Sequence, residues 1–255
     1  MSSVDSLLDH ALAVSTEGWD FTRLGSRLMV TPPPWDYPAL VAAQAGRART
    51  MLDMGTGGGE WLAALPARPA KTLATECWPP NVPVAARRLR ALGVVVVQAE
   101  GAPDNQDQRA DETQGRLPFR DGAIDLVANR HESFLPGEVA RILAAGGSFV
   151  TEQVGTGSYD DLHQLLDLPA PPPGRWTVSL AIEQLAEVRL HVVASGSGAE
   201  RTTFADVGAL VWYLRQVPWA VPGFDVDRNR ARLRAAHERM PATVFLPSFW
   251  LVARR

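Results

Sequence analysis

The stretch Asp53-Met54-Gly55-Thr56-Gly57-Gly58-Gly59-Glu60 follows an apolar run, Thr50-Met51-Leu52, so a carboxylate and a knot of glycines fall at one point of the chain. That order reads as a strand, a tight turn and a helix start. Glycine adopts positive φ without a Cβ penalty and lets a ligand approach the backbone, while the first N–H groups of a helix offer a partly positive edge. A nucleotide-like ligand is implied.

The spacing also says which kind. The dinucleotide fingerprint G-x-G-x-x-G calls for glycine at position 60, where this chain has Glu60. An acidic side chain in the first helical turn repels phosphate, and Asp53, two residues before Gly55, adds a second negative charge. These signs suit a cation. S-adenosylmethionine has an ammonium, a sulfonium and no phosphate.

With 255 residues and 46% hydrophobic content, the chain can bury a sizeable core, and its length suits one α/β domain with an appended element. A net charge of −3 argues against a large basic nucleic-acid surface, and Arg87-Arg88-Leu89-Arg90 reads as a solvated helix face. Cys77 is the only cysteine, which excludes an intramolecular disulfide and a cysteine-based zinc site. The N-terminal residues, with Ser2, Ser3, Asp5 and Asp9, lack the basic region and apolar core of a signal peptide, and no apolar stretch approaches membrane-spanning length. A soluble, cytoplasmic protein with no membrane partner is expected. Its wealth of Ala, Arg and Pro and paucity of Lys suggest a GC-rich bacterial genome.

Periodicity divides the chain into four parts. Residues 1–45 read as a helix, near Val4 to Thr16, and an irregular arm broken by Pro32-Pro33-Pro34, with Trp19, Phe21, Trp35 and Tyr37 packing it down or closing over a ligand. Residues 46–194 alternate strands (50–53, 72–75, 94–98, 124–128, 148–153) with helices (60–65, 82–92, 136–144), the mark of parallel strands with helical crossovers. The polar run Asp104 to Glu112 reads as an exposed insertion without chemistry. Residues 195–241 form a long excursion holding Trp212, Tyr213 and Trp219, read as a helical lid or, equally, as a side subdomain or homodimer contact. Residues 242–255 supply the last strand.

Asp53, Glu76, Glu100 and Asn129-Arg130-His131-Glu132 each end a strand, so their side chains should converge on one rim of the sheet. Glu76 lies near the offset at which nucleoside-binding folds place a carboxylate for two ribose hydroxyls.

Together these residues resemble the class I S-adenosylmethionine-dependent methyltransferases, specifically the type 11 methyltransferase domain. Leu52-Asp53-Met54-Gly55-Thr56-Gly57-Gly58-Gly59 looks like their first motif, Glu76 like their acidic second-strand residue, and Leu117-Pro118-Phe119-Arg120-Asp121-Gly122-Ala123-Ile124-Asp125-Leu126-Val127 like their segment along strand four. Arg141-Ile142-Leu143-Ala144-Ala145-Gly146-Gly147 resembles the turn before their strand five, and the similarity covers roughly residues 45 to 155. The resemblance implies an α/β, Rossmann-like fold, a mostly parallel seven-stranded sheet with helices on both faces, the last strand antiparallel and the lid inserted before it. It implies S-adenosylmethionine as cofactor. Carried over by position, Asp53, Gly55, Gly57 and Gly59 would bind the methionine part, Glu76 the ribose, Glu100 or Ala99 the adenine edge, and Asn129 the pocket near the methionyl end. The polar insertion after Glu100 departs from the family pattern.

Methyl transfer from a sulfonium needs alignment and, for some acceptors, removal of a proton. His131 is the histidine best placed to take it, with Glu132 to orient it or act instead; the alternative is a structural ring or a contact to the cofactor carboxylate. Glu152 and Gln153 are further pocket candidates, and no metal is required. The expected function is methyl transfer to an oxygen or nitrogen of a small organic molecule. Competing readings are methylation of RNA, suggested by arginines 228, 230, 232 and 234, and a cofactor-binding regulatory protein without turnover.

Overall fold

The computed structural model describes residues 3–16, 21–99, 102, 104–105 and 115–255. Helix α1 (Val4–Ala13) and strand β1 (Leu28–Thr31) precede α2 (Tyr37–Ala45), β2 (Thr50–Met54), α3 (Glu60–Ala64), β3 (Lys71–Glu76), α4 (Asn81–Leu89) and β4 (Val95–Gln98). The chain continues through β5 (Ile124–Arg130), α5 (Pro136–Ile142), β6 (Leu143–Val154), α6 (Asp160–Leu165) and α7 (Val178–Glu187). It ends with β7 (His191–Phe204), α8 (Val207–Gln216), α9 (Arg230–Glu238) and β8 (Ala242–Arg254).

Strands run in the order β1-β7-β8-β6-β5-β2-β3-β4. The pairs β2–β3, β3–β4, β2–β5 and β5–β6 are parallel, and β8 lies antiparallel on β6. From β2 the chain steps outward to β3 and β4, then returns to lay β5 on the other side of β2. The order therefore reverses between β2 and β5, and a crevice opens at the carboxyl ends of those two strands.

Two compact units arise from the chain. One comprises the described residues of Trp35–Gly155, Arg175–Ser197 and Ser248–Arg255. Its strands are apolar on both faces, as parallel strands between helical layers must be. Leu52, Val127 and Phe149 feed one core with Val139 and Ile142 of α5 and Leu185 of α7. Met51, Leu126 and Val150 feed the other with Val41 of α2, Leu62 of α3 and Leu89 of α4.

The second unit gathers the described residues of Met1–Pro34, Thr156–Gly174 and Gly198–Pro247. Leu8, Leu24, Phe204, Trp212, Leu233 and Val244 belong to its own core. Trp212 donates its Nε1–H to the Ser15 carbonyl at 3.1 Å, and Arg215 binds the Ala11 and Val14 carbonyls, so α1 is fastened to α8. Asp206 caps α8 through the Ala209 N–H and pairs with Arg27 through two bonds of 2.7 and 2.8 Å.

Several local expectations change. Among the described residues the sheet has eight strands where the resemblance implies seven, because Leu28–Thr31 pairs antiparallel with Arg201–Phe204 as β1. Four residues of which only Leu28 is buried carry too little apolar alternation to stand out in sequence. Residues 37–45, read as arm, form α2, started by Asp36 accepting the Ala39 N–H; the segment is apolar and alanine-rich almost all round, so it lacks an amphipathic stripe. Trp212 and Tyr213 are buried in their own unit's core, leaving Trp219 as the exposed aromatic of the excursion. Trp19 and most of the polar insertion lie outside the described residues, but Asn105 is buried and hydrogen-bonded, unlike the exposed run expected there. Among the described residues no helix is long and apolar enough to cross a membrane.

Candidate functional site

The parallel register brings Asp53 of β2, Glu76 of β3, Asn129 and Arg130 of β5 and Glu152 of β6 to the same end of the sheet. Past β2 the chain turns through Gly55, Gly57 and Gly59 with φ of 75°, 60° and 79°, a region open to glycine at little cost. The turn is tied to β3: Thr56 N–H donates to the Thr75 carbonyl at 2.8 Å, and Gly57 N–H donates to Glu76 Oε2 at 2.6 Å. Glu76 Oε1 accepts the Trp78 N–H at 2.8 Å. A loop amide that could face a phosphate is thus already occupied by the chain's own carboxylate.

This shifts the sequence argument about phosphate from one residue to another. Glu60 is ion-paired with Arg88, which also donates to the Gly58 carbonyl, so its charge is spent locally. Helix α3 spans only five residues. Exclusion of a diphosphate falls to Glu76 and its neighbours.

Those neighbours form an unusual electrostatic group. Burial foremost pushes the Asp53 carboxyl up to about 7, with Glu76 adding to the effect. Burial likewise raises Glu76, against the opposing N–H bonds from Trp78 and Gly57. Glu132 is also lifted to about 7, first by burial and then by the charge of Glu76, with the Cys77 side chain opposing. Among the described residues none of these carboxyl groups forms an ion pair. Thr56 and the charge of Arg130 only partly offset the rise at Asp53, and acids held together in low dielectric with so little compensation make a site poised for a positive ligand.

Glu152 shows the opposite case. Burial opposes its ionisation, yet His131 and Arg130 hold it down at about 2. It accepts Arg130 Nε–H at 2.8 Å and Trp35 Nε1–H at 2.6 Å, and lies 3.3 Å from His131 Nε2. With Nε2–H directed at Glu152, the other ring nitrogen, Nδ1, is the atom left to exchange a proton. His131 itself has φ of 60°, rare outside glycine, and its N–H donates to the Glu152 carbonyl at 2.8 Å. Of the two carboxylates near it, Glu152 is therefore the one that orients His131, in place of Glu132.

The Glu132 side chain runs instead over the glycine floor. A Cβ added to Gly55 would stand 2.5 Å from Glu132 Cβ, 2.6 Å from Cγ and 2.9 Å from Oε2. Gly55 thus serves both its positive φ and the close approach of Glu132. Asn129 is fully buried: Oδ1 accepts from Thr151 and Gln153 at 2.7 Å each, and Nδ2 donates to the Glu132 carbonyl at 3.1 Å. Its side chain holds the segment that carries Glu132.

Gln153 is buried in the same network, accepting from Asn105 Nδ2 at 3.0 Å, while Asn105 Oδ1 accepts the Phe134 N–H at 2.9 Å. Glu100 lies outside the described residues. Trp35, expected to pack the arm or close over a ligand, binds Glu152, while Trp78, 61% exposed two residues beyond Glu76, has no counterpart in the sequence reading. Only its position two residues after a strand-ending acid could have marked Trp78.

If burial raises Asp53 as described, the isolated protein gains stability as pH falls. The folded state holds a proton between the ordinary carboxylate range and about 7 that the unfolded chain releases, so stability declines as pH rises through this window. Asp53→Asn should exceed wild type by about 1–3 kcal/mol at pH 8, with the difference shrinking as pH falls toward 4 in denaturant unfolding. Equal stability at both pH values would show that Asp53 carries no such penalty.

No protein-family model matches the chain, and no curated protein matches it in sequence. Solved structures do match in fold. The YcgJ protein of Bacillus subtilis superposes with a TM-score of 0.55 at 15% identity, covering 86% of this chain and 97% of its own. A candidate methyltransferase of Bacillus halodurans gives 0.55 at 16% identity, covering 85% and 97%. The [4+2]-cyclase SpnF gives 0.50 at 16% identity, covering 99% and 92%. With the reversal between β2 and β5 and the antiparallel β8, these similarities give the chain the α/β, Rossmann-like fold of the class I methyltransferases.

Proposed function

We propose that the protein binds S-adenosylmethionine and transfers its methyl group to an oxygen or nitrogen of a small organic molecule. The observation that carries the reading is the convergence of Asp53, Glu76 and Glu132 on one glycine turn with no ion pair of their own among the described residues. The donor set fits the cofactor. Its cationic ammonium and sulfonium answer the carboxyl groups, and the lack of phosphate agrees with a Gly57 N–H already bound to Glu76.

The Glu76 carboxylate takes backbone N–H groups at both oxygens and keeps accepting capacity for a ribose hydroxyl. Asp53, Gly55, Gly57 and Gly59 underlie the methionine part. The exposed Trp78 offers a face for the adenine, at whose edge the resemblance sets Glu100. Asn129 acts as a positioning residue, through the Glu132 carbonyl. When bound, the cofactor supplies a methyl group activated by positive sulfur. His131, oriented by Glu152, is the proton acceptor for an acceptor molecule that must lose one.

A small acceptor is favoured over RNA by the fate of the arginine-rich helix. Arg230 and Arg234 bind Asp5, Arg230 also binds Asp227, and Arg232 and Arg239 bind Asp167 or its carbonyl. Three carboxylates of the same unit take up much of the charge of these four arginines. Since the fold is shared with a [4+2]-cyclase, detection of a methylated product is the decisive evidence of the reaction class.

Glu76→Ala should weaken cofactor binding by about 1.5–3 kcal/mol, the range of a lost charged hydrogen bond, measured by calorimetry. Unchanged affinity removes Glu76 from the ribose role. His131→Ala should lower turnover by about 100-fold or more with near-normal cofactor affinity. Full activity across the pH range excludes His131 as the base.

A further inference from the structure

Glu132 has a place that the binding of a donor alone does not explain. Its Cβ and Cγ press on Gly55 so closely that no side chain is tolerated there, and its carboxyl group lies beside Cys77 and within the field of Glu76. The backbone that aims it is held on both sides: His131 N–H is bonded to the Glu152 carbonyl, and the Glu132 carbonyl accepts from Asn129 and, at 3.2 Å, from Gln153. A flexible acid at the rim needs none of this support. An acid that must stand at a fixed point over the glycine turn does.

We propose that Glu132 discriminates the sulfonium donor from its thioether product, its carboxylate serving as the counter-charge that only the donor requires. This rests on the reading of the site as one for S-adenosylmethionine. The reaction removes one positive charge from sulfur: the sulfur–methyl bond breaks, its electron pair stays on sulfur, and a new bond forms to the acceptor. The ammonium and carboxylate of the amino-acid part are unchanged. A pocket that is to release S-adenosylhomocysteine therefore needs a group that senses charge at sulfur alone.

The surroundings leave that task to Glu132. From the end of β3 it faces Glu76 and Cys77, and from the turn after β2 it meets Gly55. Arg130 and His131, at the end of its own strand, are committed to Glu152, and Glu60 of α3 is committed to Arg88. With Glu132 titrating near 7 in the cation-free site, arrival of a sulfonium drives the proton off to solvent. A neutral thioether exerts no such pull.

Calorimetry of the full-length protein with S-adenosylmethionine and S-adenosylhomocysteine, in two buffers of different ionisation enthalpy, tests this. At pH 7 wild type should release a fraction of a proton on binding the donor beyond any released on binding the product. Both affinities should rise with pH through 7, since Asp53 answers the ammonium that donor and product share, and the donor's should rise more steeply by up to about tenfold per unit. Glu132→Gln keeps the size that Gly55 accommodates and should cut the donor-to-product affinity ratio at pH 8 by about tenfold, with product affinity retained within about twofold. A ratio unmoved by Glu132→Gln, or equal proton release with both ligands in wild type, overturns the assignment of Glu132 and leaves the cofactor reading standing. If wild type binds neither ligand, both the reading and this inference fail.

Discussion

The bond between Glu76 and the Gly57 N–H fixes the character of the site. It joins the end of β3 to the turn after β2 and fills with protein charge the amide that other nucleotide folds direct at phosphate. The same carboxylate accepts the Trp78 N–H, so the turn and the start of the next connection share one anchor. Asp53 and Glu132 then stand close enough to feel that charge, and burial keeps water from screening it. In the proposed reading this single contact disfavours a diphosphate and favours a compact cation.

Precision around that centre comes from a second carboxylate with the reverse role. Glu152 is fully compensated by Arg130, His131 and the Trp35 indole, and it stays ionised where Asp53 and Glu132 hover. It sets the His131 ring, while Asn129, Thr151 and Gln153 form a buried polar network that holds the Glu132 carbonyl. The adjacent residues His131 and Glu132 are thereby sent in different directions, one to the Glu152 pair and one over Gly55. Buried acids on one rim thus divide into one that is ion-paired and three that, among the described residues, form no ion pair.

The core was legible because parallel strands buried on both faces leave uninterrupted apolar runs, and Thr50–Met54, Lys71–Glu76 and Ile124–Arg130 all carried that signal. The glycine turn and Glu76 were legible because positive φ and a strand-ending acid restrict residue type strongly. What escaped depends on tertiary contact. Strand β1 exists through its pairing with β7, and α2 lacks an amphipathic stripe. Glu152 could be named as a pocket candidate, but its pairing with His131 joins residues 21 positions apart on neighbouring strands and leaves no local trace. Glu60 seemed to guard the turn until Arg88, from α4, was found neutralising it. Asn105 sat in a run too polar to suggest burial, and only its bonds to Gln153 and Phe134 explain its place.

Whether uncompensated negative charge selects the ligand is answered most directly by titrating the purified protein with S-adenosylmethionine, ATP and NAD at equal, moderate ionic strength. The charge arrangement predicts saturable binding of S-adenosylmethionine and no measurable heat from ATP or NAD. Binding of ATP or NAD with none of S-adenosylmethionine would contradict it.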